Sequence, residues 1–352
     1  MTNFEFHILL IGPRFNQQGT NVGGATRSFE EMISYFQTQG LKYSVLNTQI
    51  GSGLGRKIQL ILTYIRLLWK ADVVFINLSQ NGIRKLAPVL SKTARKMGKK
   101  VIIRPFGSSL QTIFDELSER ERMSFDKDVL NADILYVQTE ALLDFFRPKS
   151  PSVKQLKTSR PEPEQSIVDN KKPFNKRFVF LGQIRKDKGI DQLIDCINQL
   201  DESYKIHIYG PIEEPEYAFL SDEPYYKGIV KGQQAVLTML SNYNVLILPT
   251  YYNGEGYPGV VVEAYSVGLP VISTDWKSLP EMVFPEETGL LVAPRDSAGL
   301  KKAIKAFTPD SHALMSTGAL NYYKENFKIG PVMGQVLNDI RNLFGKPLKH
   351  KT

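Results

Sequence analysis

The chain has 352 residues, 42% of them hydrophobic, and a formal net charge of +8; at about 150 residues per domain this is enough apolar material for two ordinary cores. A single cysteine, Cys196, excludes an intramolecular disulfide and a cysteine metal cluster and fits a reducing compartment, and four scattered histidines make no metal-ligand cluster. No basic start leads into a long apolar run at the N-terminus, and the longest apolar span, Ile58 to Trp69, is too short for a bilayer and contains Arg66, so the expectation is a soluble, cytoplasmic protein.

The charge is unevenly placed. Residues 1–110 hold 15 Lys and Arg against 4 Asp and Glu, a balance of +11, while the remainder sums to −3. Something anionic is expected to meet the first half. His7 to Ile11 reads as a buried strand, followed by a loop with Gly19, Gly23 and Gly24 and a helix from Ala25 to Gln39. Gly51 to Gly55 lacks a convincing strand before it and reads as a connection rather than a dinucleotide loop. Arg56 to Lys70 is helical with only a narrow polar stripe, which predicts a helix covered on most sides by its own sheet, with membrane insertion as the competing reading. After the strand Val73 to Asn77, a helix through Arg84 to Met97 places Lys85, Lys92, Arg95, Lys96 and Lys99 on overlapping turns without acids of its own. That face is either simply solvated or turned to an anionic surface. Val101 to Phe106 is another buried strand. Asp126-Lys-Asp128 spells D-x-D, but in a charged helical stretch without an apolar strand before it, and reads as surface. Ile134 to Gln138 closes the first alternating set, and Pro148 to Pro173 reads as the connection between domains.

The second set opens with the strand Phe178 to Leu181, the loop Gly182-Gln-Ile-Arg185-Lys-Asp-Lys188-Gly189 and a helix to Leu200. Lys205 to Tyr209 is a strand ending in Gly210-Pro211; Tyr226-Lys-Gly228 follows, then a helix Gln233 to Asn242. Val245 to Leu248 is a buried strand, and after it come a loop with Asn253, Gly254, Gly256, Pro258 and Gly259, a helix from Pro258 to the stop at Gly268, and the strand Val271 to Ser273. Strand, glycine-rich loop, helix and strand form a phosphate-cradling unit, because the free amides and the positive dipole end of the helix start attract a pyrophosphate. Glu255 in the loop and Glu263 in the helix suit hydroxyls better than phosphate, since a carboxylate accepts two hydroxyl protons and can read a vicinal diol. On residue type alone the bland alternative, two solvated acids, stands beside that reading. Asp296 to Phe307, Ser311 to Phe327 and Pro331 to Phe344 read as helices. Strands alternating with helices in both halves predict parallel α/β sheets.

Taken together, Glu255-Gly-Tyr257-Pro258-Gly259, Glu263-Ala, Gly268-Leu-Pro-Val-Ile, Pro280-Glu281 and Glu287-Thr-Gly-Leu-Leu-Val292 resemble the donor site of family 4 (group 1) glycosyltransferases, with their E-x7-E motif. The resemblance covers most of the chain and is strong over residues 178–292. It implies a GT-B fold: two Rossmann-like domains, 1–160 and 161–328, with parallel sheets facing across a cleft, and a C-terminal segment 329–352 returning to the first. It implies a retaining transferase that uses a nucleoside diphosphate sugar as donor substrate, with no cofactor and no metal. Carried over by position, Glu255 would lie against the transferred sugar and Glu263 would hold the ribose. The amides of Gly256, Tyr257, Pro258 and Gly259 (proline lacking one) would bracket the pyrophosphate and sugar. Gly182 and Lys188 match the family's G-R-x-x-x-x-K-G signature, Lys188 as the lysine that neutralises the donor phosphates. Gln183 stands where the arginine is expected, and Arg185 is the candidate replacement. Gly23 and Gly24 resemble the N-terminal glycine loop, Gly210 and Tyr226 to Gly228 the surroundings of the nucleotide, and Thr139 stands where serine is common. Phe106 occupies a position that often holds a histidine, leaving Arg104 and Ser108 as the nearest polar residues.

The expected partners are a nucleotide-sugar donor and a glycan or lipid-linked acceptor at an anionic membrane surface, with no nucleic acid. The same fold also serves sugar-nucleotide epimerases, and the departures at Phe106 and Gln183 leave room for a non-catalytic donor-binding subunit.

Overall fold

The structure, a computed structural model, describes residues 6–15, 23–49, 53–169 and 173–345. Gly19, Gly51 and Ser52 of the predicted loops lie outside the described residues. The chain forms two compact units, Met1–Thr158 with Ile329–Thr352, and Ser159–Lys328.

The first unit contains a six-stranded parallel sheet made of β1 (His7–Gly12), β2 (Lys42–Asn47), β3 (Val73–Leu78), β4 (Lys100–Pro105), β5 (Ile134–Val137) and β6 (Val153–Gln155), in the order β2-β1-β3-β4-β5-β6. The second contains β7 (Arg177–Leu181), β8 (Lys205–Tyr209), β9 (Val245–Leu248), β10 (Val271–Thr274) and β11 (Gly289–Val292), all parallel, in the order β11-β10-β9-β7-β8. In both, the first strand of the unit lies between its second and third, which is the doubly wound arrangement with its switch point between the first and third strands. The central strands are continuous apolar runs because helices cover both their faces. Sequence periodicity missed β2, β6 and β11. β2 and β11 lie at sheet edges, and so does β6, and most of their residues are only half-buried, so nothing forces an apolar run.

One face of the first sheet is covered by Tyr64, Leu68, Leu90, Ala94 and Phe125. The other is covered by Phe29 and Phe36 together with Met333, Val336 and Ile340 of the C-terminal helix Ile329–Asn342. That helix is also pinned by charge. Asp339 accepts 2.7 Å from the Tyr136 hydroxyl and 2.6 Å from Lys154 Nζ. Burial, with Asp339 adding to it, pushes the Tyr136 phenol well above its ordinary range.

Three expectations for this unit change. The helix Leu54–Lys70 is not covered on most sides: it buries Tyr64 and Leu68, but Ile58, Ile61, Leu62 and Trp69 are 49%, 59%, 66% and 73% exposed. Its outer side carries these four large apolar side chains beside exposed Gln59, Arg66 and Lys70, where a solvated sheet helix would be polar throughout. The basic stretch is two helices, Gln80–Lys85 and Ala87–Lys96, and it does have acids opposite it. Arg95 binds Asp128 at 2.7 Å and Arg84 binds Glu121 at 2.9 Å, both acids arriving from the segment after β4. What stays exposed is the stripe Lys85, Val89, Lys92 and Lys96. Asp128 is likewise not a surface residue. It is 4% exposed in a π-helical turn, Asp126–Leu130, and its partner is a cation of its own unit, whereas Asp126 is exposed as expected.

Candidate active site

The residues with chemistry in the second unit gather at the carboxyl ends of β7 and β9, the switch point of that sheet. Open α/β sheets bind ligands outside the carboxyl ends of the strands at such a point. From β7 comes the loop Gly182 to Gly189, whose last turn is a 3-10 helix, Lys186–Lys188. From β9 comes the loop Pro249 to Pro258. The two are stitched together: Tyr251 N–H donates to Asp187 O at 2.8 Å, and Thr250 Oγ1 lies 3.3 Å from the same carbonyl oxygen. Gly189 sits under that seam with φ 76°, and a Cβ there would lie 2.1 Å from the Pro249 carbonyl oxygen. Only glycine fits, on both conformation and space.

Lys188 Nζ donates to Glu255 Oε2 at 2.5 Å, and Thr250 Oγ1 donates to the same oxygen at 2.8 Å. Both charged side chains are largely buried, with 14% and 9% of their surfaces exposed. The Tyr252 ring lies beside them, its centroid 4.7 Å from Lys188 Nζ and 4.8 Å from the Arg185 guanidinium carbon. Arg185 is held in turn by Asp187, with contacts of 2.9 Å to each carboxylate oxygen. One aromatic ring therefore meets two cations, each attracted by the ring quadrupole. Gln183 is turned elsewhere: it is exposed and donates to Glu213 at 3.4 Å. Of the two residues weighed for the missing arginine, Arg185 is the one beside Lys188.

The helix that follows the loop runs Gly259–Ser266, with Pro258 preceding it. Gly268, at φ 74°, terminates it, and Leu269 N–H bonds back to Ala264 O at 2.9 Å. Glu263 is 4% exposed on this helix and accepts from Arg160 Nε at 2.8 Å. The loop before the helix is fixed by Ser278, whose hydroxyl donates to Gly256 O at 2.6 Å. The Tyr257 side chain turns into the core: its hydroxyl donates to Glu281 at 2.8 Å and its ring meets Phe327 edge-on at 6.3 Å. Any contribution to a ligand would therefore come from its backbone amide.

Gly182 and Gly210 are in backbone contact, since a Cβ on Gly210 would lie 1.8 Å from Gly182 O. Gly210 also bonds to Gly228 O at 2.9 Å, and the Tyr226 hydroxyl donates to Gly210 O at 3.0 Å, which places Tyr226 to Gly228 beside the end of β8. Gly23 and Gly24 lie in the first unit, at the start of the helix Gly24–Thr38, where an added Cβ would meet nothing within 4 Å. In that unit Arg104 is 3% exposed with its guanidinium 5.2 Å from the Phe106 ring centroid, and the Ser108 hydroxyl is buried without a hydrogen-bond partner. Sequence reasoning missed Arg160, Thr250, Tyr252 and Ser278. The first carries no motif, and the other three carry generic residue types whose partners only folding supplies.

Residues 175–310 match the family described as glycosyl transferases group 1. Among curated proteins, the chain is 28% identical over 193 residues to a capsular polysaccharide biosynthesis glycosyltransferase of Staphylococcus aureus, which covers 51% of this chain and 50% of that protein. A putative colanic acid biosynthesis glycosyltransferase of Escherichia coli is 30% identical over 145 residues, 37% of this chain and 36% of that one. The chain thus spans half or less of these relatives. A lipopolysaccharide core biosynthesis mannosyltransferase of Rhizobium meliloti is 23% identical over 91% of this chain and 93% of its own length. Among solved structures, the Anabaena protein HepE, in complex with UDP and glucose, superposes with a TM-score of 0.72 at 14% identity, covering 96% and 99% of the two chains. Sucrose-phosphate synthase of Thermosynechococcus elongatus gives 0.74 at 17%, covering 97% and 99%. These likenesses carry the fold, which is GT-B. Over residues 175–310, where the switch-point loops and the glutamate-bearing helix lie, the chain is similar to the glycosyl transferases of group 1.

Proposed function

We propose that the protein is a retaining glycosyltransferase that moves a sugar from a nucleoside diphosphate sugar to a glycan or lipid-linked acceptor in cell-surface polysaccharide or glycolipid synthesis. The observation that carries this reading is the cluster of Lys188, Arg185, Tyr252 and Glu255 beside the Gly259–Ser266 helix start. Breaking the bond between the sugar's anomeric carbon and the diphosphate leaves charge on the departing phosphate. Lys188, Arg185 and the amides from Gly256 to Gly259 supply that charge stabilisation without a metal. Glu255 orients the sugar and Glu263 accepts the ribose hydroxyls. The acceptor hydroxyl attacks the anomeric carbon on the face the diphosphate leaves, and its proton passes to the departing phosphate oxygen. In the absence of donor, Lys188 is neutralised by Glu255, so donor entry exchanges one partner of the lysine for another.

The relatives' names (capsular polysaccharide, colanic acid, lipopolysaccharide core) support a cell-surface product. HepE, with its bound UDP and glucose, makes UDP the first nucleotide to try. The acceptor would be met in the cytoplasm at the inner membrane face. Support for that comes from the exposed apolar side of Leu54–Lys70 and the lysine stripe on Ala87–Lys96, neighbouring helices tied by the Tyr64 hydroxyl donating to Leu90 O at 2.7 Å. No described helix is long and apolar enough to cross a membrane.

The test is a thermal-shift panel of UDP-, GDP-, ADP- and dTDP-sugars with and without EDTA. A ligand at about a hundred times its Kd should add roughly 2.7 kcal/mol to stability, unaffected by EDTA. No shift with any nucleotide would remove the donor assignment. Donor turnover without an acceptor would point to an epimerase instead.

A further inference from the structure

The cation that faces Glu263 comes from far along the chain. Arg160 lies 103 residues before it, in the segment that enters the second unit, and its side chain is 2% exposed. Everything around it is fixed. Its backbone N–H donates to Phe327 O at 2.9 Å, its carbonyl accepts from the Tyr323 hydroxyl at 3.2 Å, and its Nη1 donates to Ser159 O at 3.0 Å. The guanidinium reaches Glu263 through a slot on the helix surface. Gly259 is one turn before Glu263 on the same face, and a Cβ on Gly259 would lie 1.7 Å from Arg160 Nη2 and 2.8 Å from Cζ. Its φ is not in the left-handed region, so this glycine is required by the space the arginine occupies.

A carboxylate so deeply buried needs a permanent cation, and a planar guanidinium fixes its orientation as well as its charge. It also sits at the positive end of a helix, where a cation without this acid would be repelled. We infer that Arg160 is a positioning residue for nucleotide recognition: it holds the Glu263 carboxylate turned so that it can accept the ribose hydroxyls, and Gly259 leaves the space that lets it through. This rests on the donor reading above and names the group that sets its preference for a ribonucleotide.

The measurement is binding of UDP and of 2′-deoxy-UDP to the full chain, or of the corresponding pair for whichever nucleotide the panel selects. The wild type should prefer the ribonucleotide roughly ten- to a hundredfold, the range of one hydrogen bond to a charged group. Arg160→Lys keeps the charge but loses the fork. Gly259→Ala displaces the guanidinium without removing it, and reads the same point if the first variant folds poorly. Both, like Glu263→Gln, should bring the preference to within about threefold by weakening the ribonucleotide alone, and should raise donor KM more than they lower kcat. Equal weakening of both nucleotides, or an unchanged preference in the two variants, overturns the inference. A wild type that binds both nucleotides equally overturns it too while sparing the donor reading; a wild type that binds no nucleotide removes both.

Discussion

Lys188 meets a carboxylate and the Tyr252 ring at once, and Arg185 meets the same ring while Asp187 accepts from its guanidinium. The two cations are therefore not equivalent before the donor arrives. Lys188 is the more buried and is the one bonded to Glu255, so on the proposed reading its loss would remove charge where the phosphate departs. Lys188→Met should cut kcat/KM roughly ten- to a hundredfold, since a charge-assisted contact is worth about 1.5–3 kcal/mol. Arg185→Met should cost less. Steady-state kinetics at saturating acceptor decides the order, and the reverse order would make Arg185 the principal phosphate ligand. Melting curves must accompany the Lys188 variant, because it leaves Glu255 buried beside only a hydroxyl and a change in stability is expected with it. Glu255→Ala should spare binding of free nucleotide and damage transfer, and isothermal titration with nucleotide alone checks that division.

At the scale of elements, the helix Leu54–Lys70 departs furthest from what its neighbours would predict. Tyr64 and Leu68 anchor it to the sheet, yet four large apolar side chains on its outer side meet solvent. Next to it, Lys85, Lys92 and Lys96 are exposed while Arg95 is engaged with Asp128. If these helices rest on anionic lipid as proposed, each lysine near the surface contributes about 1 kcal/mol and the interaction weakens with salt. Co-sedimentation should show stronger binding to vesicles with anionic lipid than to neutral ones. Changing Lys85, Lys92 and Lys96 to Gln should remove the salt-sensitive part, and Trp69→Ser the salt-insensitive part. Equal binding to both vesicle types in the wild type would argue for an acceptor free in solution.

For the molecule as a whole, the single cysteine offers a reporter of the second unit. Cys196 is 1% exposed on the helix Ile190–Gln199 and its thiol donates to Ser297 O at 3.4 Å. Burial, with Asp195 adding to it, leaves this thiol with a pKa pushed up to about 12. Labelling by a thiol reagent at neutral pH should therefore require opening of the unit's core. If the donor site is where it is proposed, nucleotide at about a hundred times its Kd should slow labelling roughly a hundredfold, because it binds only the closed form. An unchanged rate would mean that the core around Cys196 opens locally, without disturbing the switch-point loops.

Much of this was legible in the sequence because it is local. Buried parallel strands announce themselves as apolar runs, a helix stop as Gly268, and the loop Pro249 to Pro258 as glycines between a strand and a helix. Lys188, Glu255 and Glu263 lie on such contiguous segments and could be named from them, and the structure pairs the first two. Strands β2, β6 and β11 were not, because an edge position does not demand an apolar run. The tertiary structure alone decided which charge meets which: Arg160 with Glu263 across 103 residues, and Arg95 with Asp128 across 33. It also decided that Tyr252 gathers Arg185 and Lys188 and that the outer side of Leu54–Lys70 stays uncovered. The physical reason is that periodicity and propensity act over a few residues, whereas the partner of a buried charge is set by the order of strands in a sheet and by where the chain re-enters its unit.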